Sequence, residues 1–201
     1  MNKNLFKIGG GILVLLGIVA LLSFLLAKAQ PFRGISYEEP FPTAPQITLK
    51  KANGELFKLS DQQGKIALLF FGYTSCPDVC PTTLAEMKML MDELGDLGKN
   101  VQVVFVSVDP DRDTSEKMQT YVNHFHSSFL GLSGSMNELA PIWRNYSIVR
   151  EEVQSDSSFG VIINHTALLF LVDQQGNLRL SFPYQTPVKD IAHDIKLLLE
   201  Q

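Results

Sequence analysis

Ile66–Phe71 is wholly apolar and Val101–Val108 nearly so, and neither run alternates. A short run of this kind is what a strand covered on both faces requires. Between the two, Leu84, Met87, Met91 and Leu94 recur at helical spacing behind Pro81, a residue acceptable at the start of a helix. Further on, the pattern predicts a helix over Ser115–Phe125, a weaker one over Asn137–Tyr146 interrupted at Pro141, and a third buried strand over Ala167–Val172. Asp173–Asn177 reads as a turn into a strand at Leu178–Phe182, and Val188–Leu199 as a closing amphipathic helix. Upstream, Gln46–Leu49 and Leu56–Leu59 flank Asn53-Gly54, a strong hairpin pair. This order predicts one α/β domain over residues 46–201 with a thioredoxin-like fold and an added N-terminal β-hairpin.

Ahead of that domain, Ile8–Ala27 is apolar and free of charge, close to the roughly 20 residues that cross a bilayer as a helix. Lys3 and Lys7 precede it and Lys28 and Arg33 follow it, so only the free amino terminus tips residues 1–7 towards the cytoplasm. Ala27-Lys28-Ala29 has the form of a signal-peptidase site, but the run exceeds the roughly 7–15 residues of a cleaved signal, which favours a retained anchor. With no Arg- and Ser-rich presequence, the expectation is a single-pass protein of the bacterial inner membrane with its domain in the periplasm. Residues 28–45 carry Pro31, Pro40, Pro42 and Pro45 and read as an extended spacer. With 17 basic and 21 acidic side chains, a net charge of −4 and no basic cluster after the anchor, nucleic acid is excluded as a partner.

The chemistry concentrates at Cys76 and Cys80, the only two cysteines, placed where an apolar strand gives way to a helix. Because proline disfavours the helical region for the residue before it, Cys80 is expected to end a loop. Both sulfurs then lie at a helix N-terminus, where free N–H groups favour thiolate. Thiolate both binds soft metals and attacks disulfides, and the spacing permits a bridge as readily as a ligand pair. A stable copper or zinc site needs a third donor. His124, His126 and His193 read as ordinary solvent-facing residues, whereas His165 stands at the start of a buried strand, where a polar ring is costly unless it meets a partner. Thioredoxins place a Thr and a cis-proline there; this chain has Asn164-His165-Thr166. From spacing alone, a structural histidine and a ligand are equal alternatives. Met87, Met89 and Met91 sit two residues apart and so spread around a helix, which favours core packing for the outer two over copper binding.

Three separated segments resemble the Sco/SenC copper chaperones of respiratory oxidase assembly: Gly72-Tyr73-Thr74 with Cys76-Pro77-Asp78-Val79-Cys80-Pro81, the run Val104 to Thr114, and His165-Thr166. The resemblance covers essentially the whole domain and the anchor. It implies that Cys76, Cys80 and His165 bind copper, as Cu(I) or Cu(II), and that the protein serves the dinuclear copper centre of cytochrome c oxidase. Its implied partners are the copper-receiving oxidase subunit and a copper donor or thiol reductant protein. Asp109 and Asp113 belong to the family's acidic strand-end motif without being taken as ligands. Asn164 departs from the Asp that many members place before the histidine. Such a protein is a metal carrier and not an enzyme. The alternative is a thiol-disulfide oxidoreductase in which Cys76 and Cys80 form the redox pair and keep a partner's cysteines reduced. Glu151–Gly160, rich in serine and acid, reads as a mobile loop near the site.

Overall fold

A computed structural model describes residues 32–154 and 160–201. In chain order the strands and α-helices are β1 (Ile35–Ser36), β2 (Thr48–Lys50), β3 (Leu56–Lys58), β4 (Ile66–Gly72), α1 (Val79–Leu94), β5 (Val101–Ser107), α2 (Ser115–Asn123), β6 (Leu130–Leu132), α3 (Met136–Asn145), β7 (Arg150–Gln154), β8 (Val161–His165), β9 (Leu168–Val172), β10 (Leu178–Pro183) and α4 (Val188–Leu199). Six of the strands form one sheet in the order β1-β10-β9-β4-β5-β6. All seven residues of β4 are buried. This strand pairs in parallel with β5 and antiparallel with β9, so both of its edges are hydrogen-bonded. Each fully buried Val, Leu or Phe in such a pair contributes about 1.5–3 kcal/mol of transfer free energy. The expected α/β order holds, and β2–β3 is the expected hairpin, with Leu49 opposite Phe57 and both buried.

Helix α1 buries Leu84, Met87, Leu90 and Met91 and leaves Met89 59% exposed, as the spacing requires. It packs against α4. The helix begins earlier than expected: Cys80 lies inside it, in the first turn, and does not end a loop. Pro81 is tolerated there because its missing N–H belongs to the first four, which have no partner within the helix. The residue four back, Pro77, precedes the helix, so its carbonyl need not stand in the way of the ring. Helix α3 likewise runs through Pro141 without interruption. One internal hydrogen bond is lost there, against a Ser135–Glu138 capping box and the burial of Leu139, Ile142 and Trp143.

Two expectations on loops are corrected. Glu151–Gln154 is not loop but belongs to β7, which pairs with β8 from Arg150 opposite His165 to Gln154 opposite Val161 as a separate two-stranded sheet. Residues 155–159 of the expected loop lie outside the described residues. The stretch from Phe32 to Pro45 is not a free spacer. Its β1 pairs with β10, the Leu178 N–H donates to the Pro42 carbonyl (2.9 Å), and the Arg179 guanidinium lies 4.0 Å from the Phe41 ring centre. The anchor expected at residues 8–27 also lies outside the described residues, among which no helix is long and apolar enough to cross a membrane.

Asp194 fastens this N-terminal stretch. Its carboxylate is fully buried in α4 and accepts the N–H groups of Arg33 (2.9 and 3.1 Å) and Gly34 (2.8 Å), with His193 Nδ1 2.8 Å away. His193 is thus engaged with a buried carboxylate and not simply solvent-facing. Replacing Asp194 by Ala leaves those N–H groups without an acceptor and is expected to cost about 2–3 kcal/mol of stability in a urea titration. An unchanged midpoint would show that the stretch is held by something else.

Candidate metal centre

Strand β4 ends at Gly72, and the next six residues form the turn into α1. Glycine is required at this point by space: a Cβ on residue 72 would lie 2.6 Å from both the Cys80 sulfur and the Phe105 ring. Tyr73, buried, accepts the Cys76 N–H at its carbonyl (3.3 Å) and so shapes the turn. Cys76 stands half-buried on that turn; Cys80 is fully buried in the first turn of α1, its N–H 3.5 Å from the Cys76 sulfur. The third residue arrives from the other side of the cleft, where β8 ends at His165.

The imidazole Nε2 lies 3.7 Å from the Cys80 sulfur, and one donor atom from each of Cys76, Cys80 and His165 falls within 4.8 Å of the other two. Its Nδ1 is 3.1 Å from the Thr166 carbonyl, which can only accept. That bond places the ring proton on Nδ1 and turns the Nε2 lone pair towards the thiols. Phe70 and Tyr73 meet the ring edge to face, at 6.4 and 5.9 Å between centres. The structure therefore brings together the three residues singled out in the sequence. His124, exposed, and His126, bonded to Ser128, lie apart from them.

Electrostatics divide the two thiols. A hydrogen bond from the Cys80 thiol, helped by the N–H groups of Asp78 and Cys80, overcomes partial burial and holds Cys76 down to about 4. Cys80 moves the opposite way, because it donates to Cys76, is buried, and faces the Cys76 charge. At neutral pH the pair is one thiolate and one thiol. Donors of this softness fit copper: two sulfurs and one imidazole suit Cu(I), and Cu(II) can add a water or carboxylate to complete its shell. The cleft beside them, about 210 Å³, is lined by two of the donors, Cys76 and His165, with Pro77, Val79, Ile162 and Ala167, while Cys80 lies buried behind it.

The acidic strand-end motif stands outside the donor triangle. Asp113, buried, accepts the N–H (3.1 Å) and hydroxyl (2.5 Å) of Thr74 and the hydroxyl of Ser107 (3.0 Å), tying the cysteine turn to the end of β5. Asp109 pairs with Arg112, and burial raises its carboxyl above the ordinary range. Sequence reasoning did not foresee the part played by Tyr73. Its signals along the chain were its place in the Gly72-Tyr73-Thr74 segment of the family's motif and at the end of an apolar strand.

A thioredoxin-like domain that presents two thiols and an imidazole from separate segments is a protein of metal carriage or of thiol exchange. The chain belongs to the SCO1/SenC family, which it matches over residues 36–200. It is 29% identical over 202 residues to an SCO2-like protein of Rickettsia felis, with 98% of each chain covered. Among solved structures it is similar to Bradyrhizobium japonicum ScoI with copper bound, at 34% identity and a TM-score of 0.70, covering 78% of this chain and 99% of that one. It is also similar to apo Sco1 of Thermus thermophilus, at 34% identity and a TM-score of 0.73, covering 87% and 100%.

The asymmetry of the thiols has a direct readout. A thiol with a depressed pKa stays thiolate as pH falls until that value is reached, so at pH 6 iodoacetamide is expected to modify Cys76 at close to its plateau rate and Cys80 hardly at all. The Cys76 rate should fall only as the pH drops towards about 4. Peptide mass spectrometry checks this; equal labelling of both residues would contradict it.

Proposed function

We propose that the chain is a copper-binding chaperone of cytochrome c oxidase assembly that holds copper through Cys76, Cys80 and His165 and passes it to the dinuclear copper centre. The observation that carries this reading is the convergence of two sulfurs and one imidazole nitrogen within 4.8 Å, from segments 85 residues apart. Support comes from the similar Bradyrhizobium japonicum protein, whose structure has copper bound. Delivery needs release as well as capture. Three donors, two of them lining a surface cleft and one of these two on a separate ribbon, allow a partner's ligands to replace them one at a time; a closed four-thiolate cage does not. The receiving partner is then the copper-accepting oxidase subunit, with a copper donor or thiol reductant upstream. We place the domain in the periplasm of a bacterial inner membrane, held by a single span at residues 8–27, on the apolar run in the sequence.

A second reading is favoured by one observation, the thiolate of Cys76 beside the Cys80 thiol. Such a pair can reduce a partner: Cys76 attacks the partner disulfide and frees one thiolate, then Cys80 loses its proton and displaces the second, leaving a Cys76–Cys80 disulfide. A solved structure of BsSco, described as a member of the Sco family of cytochrome c oxidase assembly proteins, is reported with a disulfide switch. At 19% identity it shares the fold with this chain.

His165 separates the two readings. With the purified protein reduced and metal-free, His165→Ala is expected to weaken copper binding by more than the roughly 10–100-fold typical of losing a residue that merely supports a ligand, while thiol exchange continues. Equal copper affinity in parent and variant, with equal exchange rates, would favour the reductase. The held proton of Cys80 gives a further expectation: loading releases it, so apparent copper affinity should rise about tenfold per pH unit near neutrality. Potentiometry during copper titration checks this, and a pH-independent affinity would contradict it.

A further inference from the structure

The ribbon that ends in His165 is not hydrogen-bonded into the central sheet, since β7 and β8 pair only with each other among the described residues. Something else must hold the imidazole against the cysteine turn. Two arginines stand at that junction: Arg150, the first residue of β7 and opposite His165, donates its Nε to the Val108 carbonyl (2.9 Å) and holds the β7 side of the ribbon, and Arg112 holds the β8 side. Arg112 lies on the loop after β5, where its Nε pairs with the buried Asp109 carboxylate and its Nη1 donates to the carbonyl of Val161, the first residue of β8 (2.8 Å). Its guanidinium carbon lies 5.5 Å from the centre of the Tyr73 ring. The Tyr73 hydroxyl accepts the N–H of Ile163, two residues along the same strand (3.1 Å). Arg112 lies over that ring and His165 meets it in a T-shaped contact, and the Tyr73 carbonyl accepts the N–H of Cys76. One aromatic residue thus touches both halves of the donor set, and one guanidinium fixes it to the strand that carries the third donor.

We propose that Arg112, acting through Tyr73 and β8, is a positioning residue that sets where the His165 imidazole meets the two sulfurs. The proposal rests on the reading of Cys76, Cys80 and His165 as a copper site. Only a planar fork can pair with a buried carboxylate, donate to a strand carbonyl and lie over a phenol ring at the same time. Lysine in its place keeps the charge for Asp109 but, with a single ammonium, cannot also hold Val161 and cover the ring. Released at its first residue, β8 keeps its pairing with β7 and its bond to the Tyr73 hydroxyl, but the Tyr73 ring that carries that bond loses the guanidinium lying over it, so the distance to the turn is less tightly fixed. The cysteine turn keeps its own backbone ties, the Thr74 N–H to Asp113 and the Cys76 N–H to the Tyr73 carbonyl.

The test is a double-mutant cycle on the full-length purified protein, with copper affinity measured by chelator competition and the thiolate-to-copper(II) absorption recorded. Arg112→Lys is expected to lower copper affinity about 10–100-fold and to shift the absorption towards that of His165→Ala. In the His165→Ala background the same substitution should cost nothing further, since its effect runs through the missing ring. Tyr73→Phe, which removes only the oxygen that accepts the Ile163 N–H, should show the same dependence on His165 and keeps the test open should the arginine variants unfold. An unchanged affinity and spectrum in folded Arg112→Lys, or an equal loss in both backgrounds, would overturn the proposal. Copper affinity unaltered by His165→Ala alone would instead overturn the copper-site reading, and this proposal with it.

Discussion

The pairing of β4 on both edges is the constraint from which the site follows. Its parallel partner β5 ends beside Gly72 with Ser107, and its antiparallel partner β9 begins at the same end, with Leu169 opposite Phe70. Three chain segments therefore emerge together: the cysteine turn from β4, the Asp109–Thr114 loop from β5, and the His165 segment leading into β9. The apolar burial of β4 and β5 makes this convergence rigid, because a shift in register would expose a run of side chains that water does not favour. Gly72 completes it by letting Cys80 approach the strand backbone, where any side chain would strike the sulfur.

On that scaffold the chemistry is set by unequal environments for equal groups. Cys80 is buried in the first turn of α1 and keeps its proton; Cys76, on the turn and surrounded by donors, gives its proton up. The pair is half prepared for metal before any metal arrives. Binding needs only one proton to leave, and departure of the metal is assisted when that proton returns. A carrier benefits from this balance, and so does a thiol exchanger, which is why the imidazole decides between the two uses.

How much was legible in the sequence depended on whether the deciding interaction was local. β4, β5, α1, α4 and the β2–β3 hairpin declared themselves through apolar runs, helical spacing and Asn53-Gly54, since burial and turn geometry act on neighbouring residues. The cysteine pair was visible from its place in the chain, but His165, which spacing left even between a ligand and a structural role, was favoured as a ligand only through the family's motifs. β7 was missed because its residues, Arg150 to Gln154, are charged or exposed and carry no period that distinguishes a solvated ribbon from a loop. The packing of residues 32–45 was missed because it relies on Asp194, more than 150 residues away. Pro81 and Pro141 misled for another reason: each penalty is real, but the first falls where no bond was available and the second is outweighed by capping and burial. Arg112 and Tyr73 lie within the family's motifs, but they act across segments, so the chain alone does not show what either one touches.

The most direct test of the central claim is X-ray absorption at the copper edge on the purified protein loaded with one equivalent of copper(I). The account predicts a shell of two sulfurs and one imidazole nitrogen, with the outer-ring scattering of a single histidine, and the loss of that scattering in His165→Ala. A shell of sulfur alone in the parent, or of nitrogen and oxygen without sulfur, would contradict it.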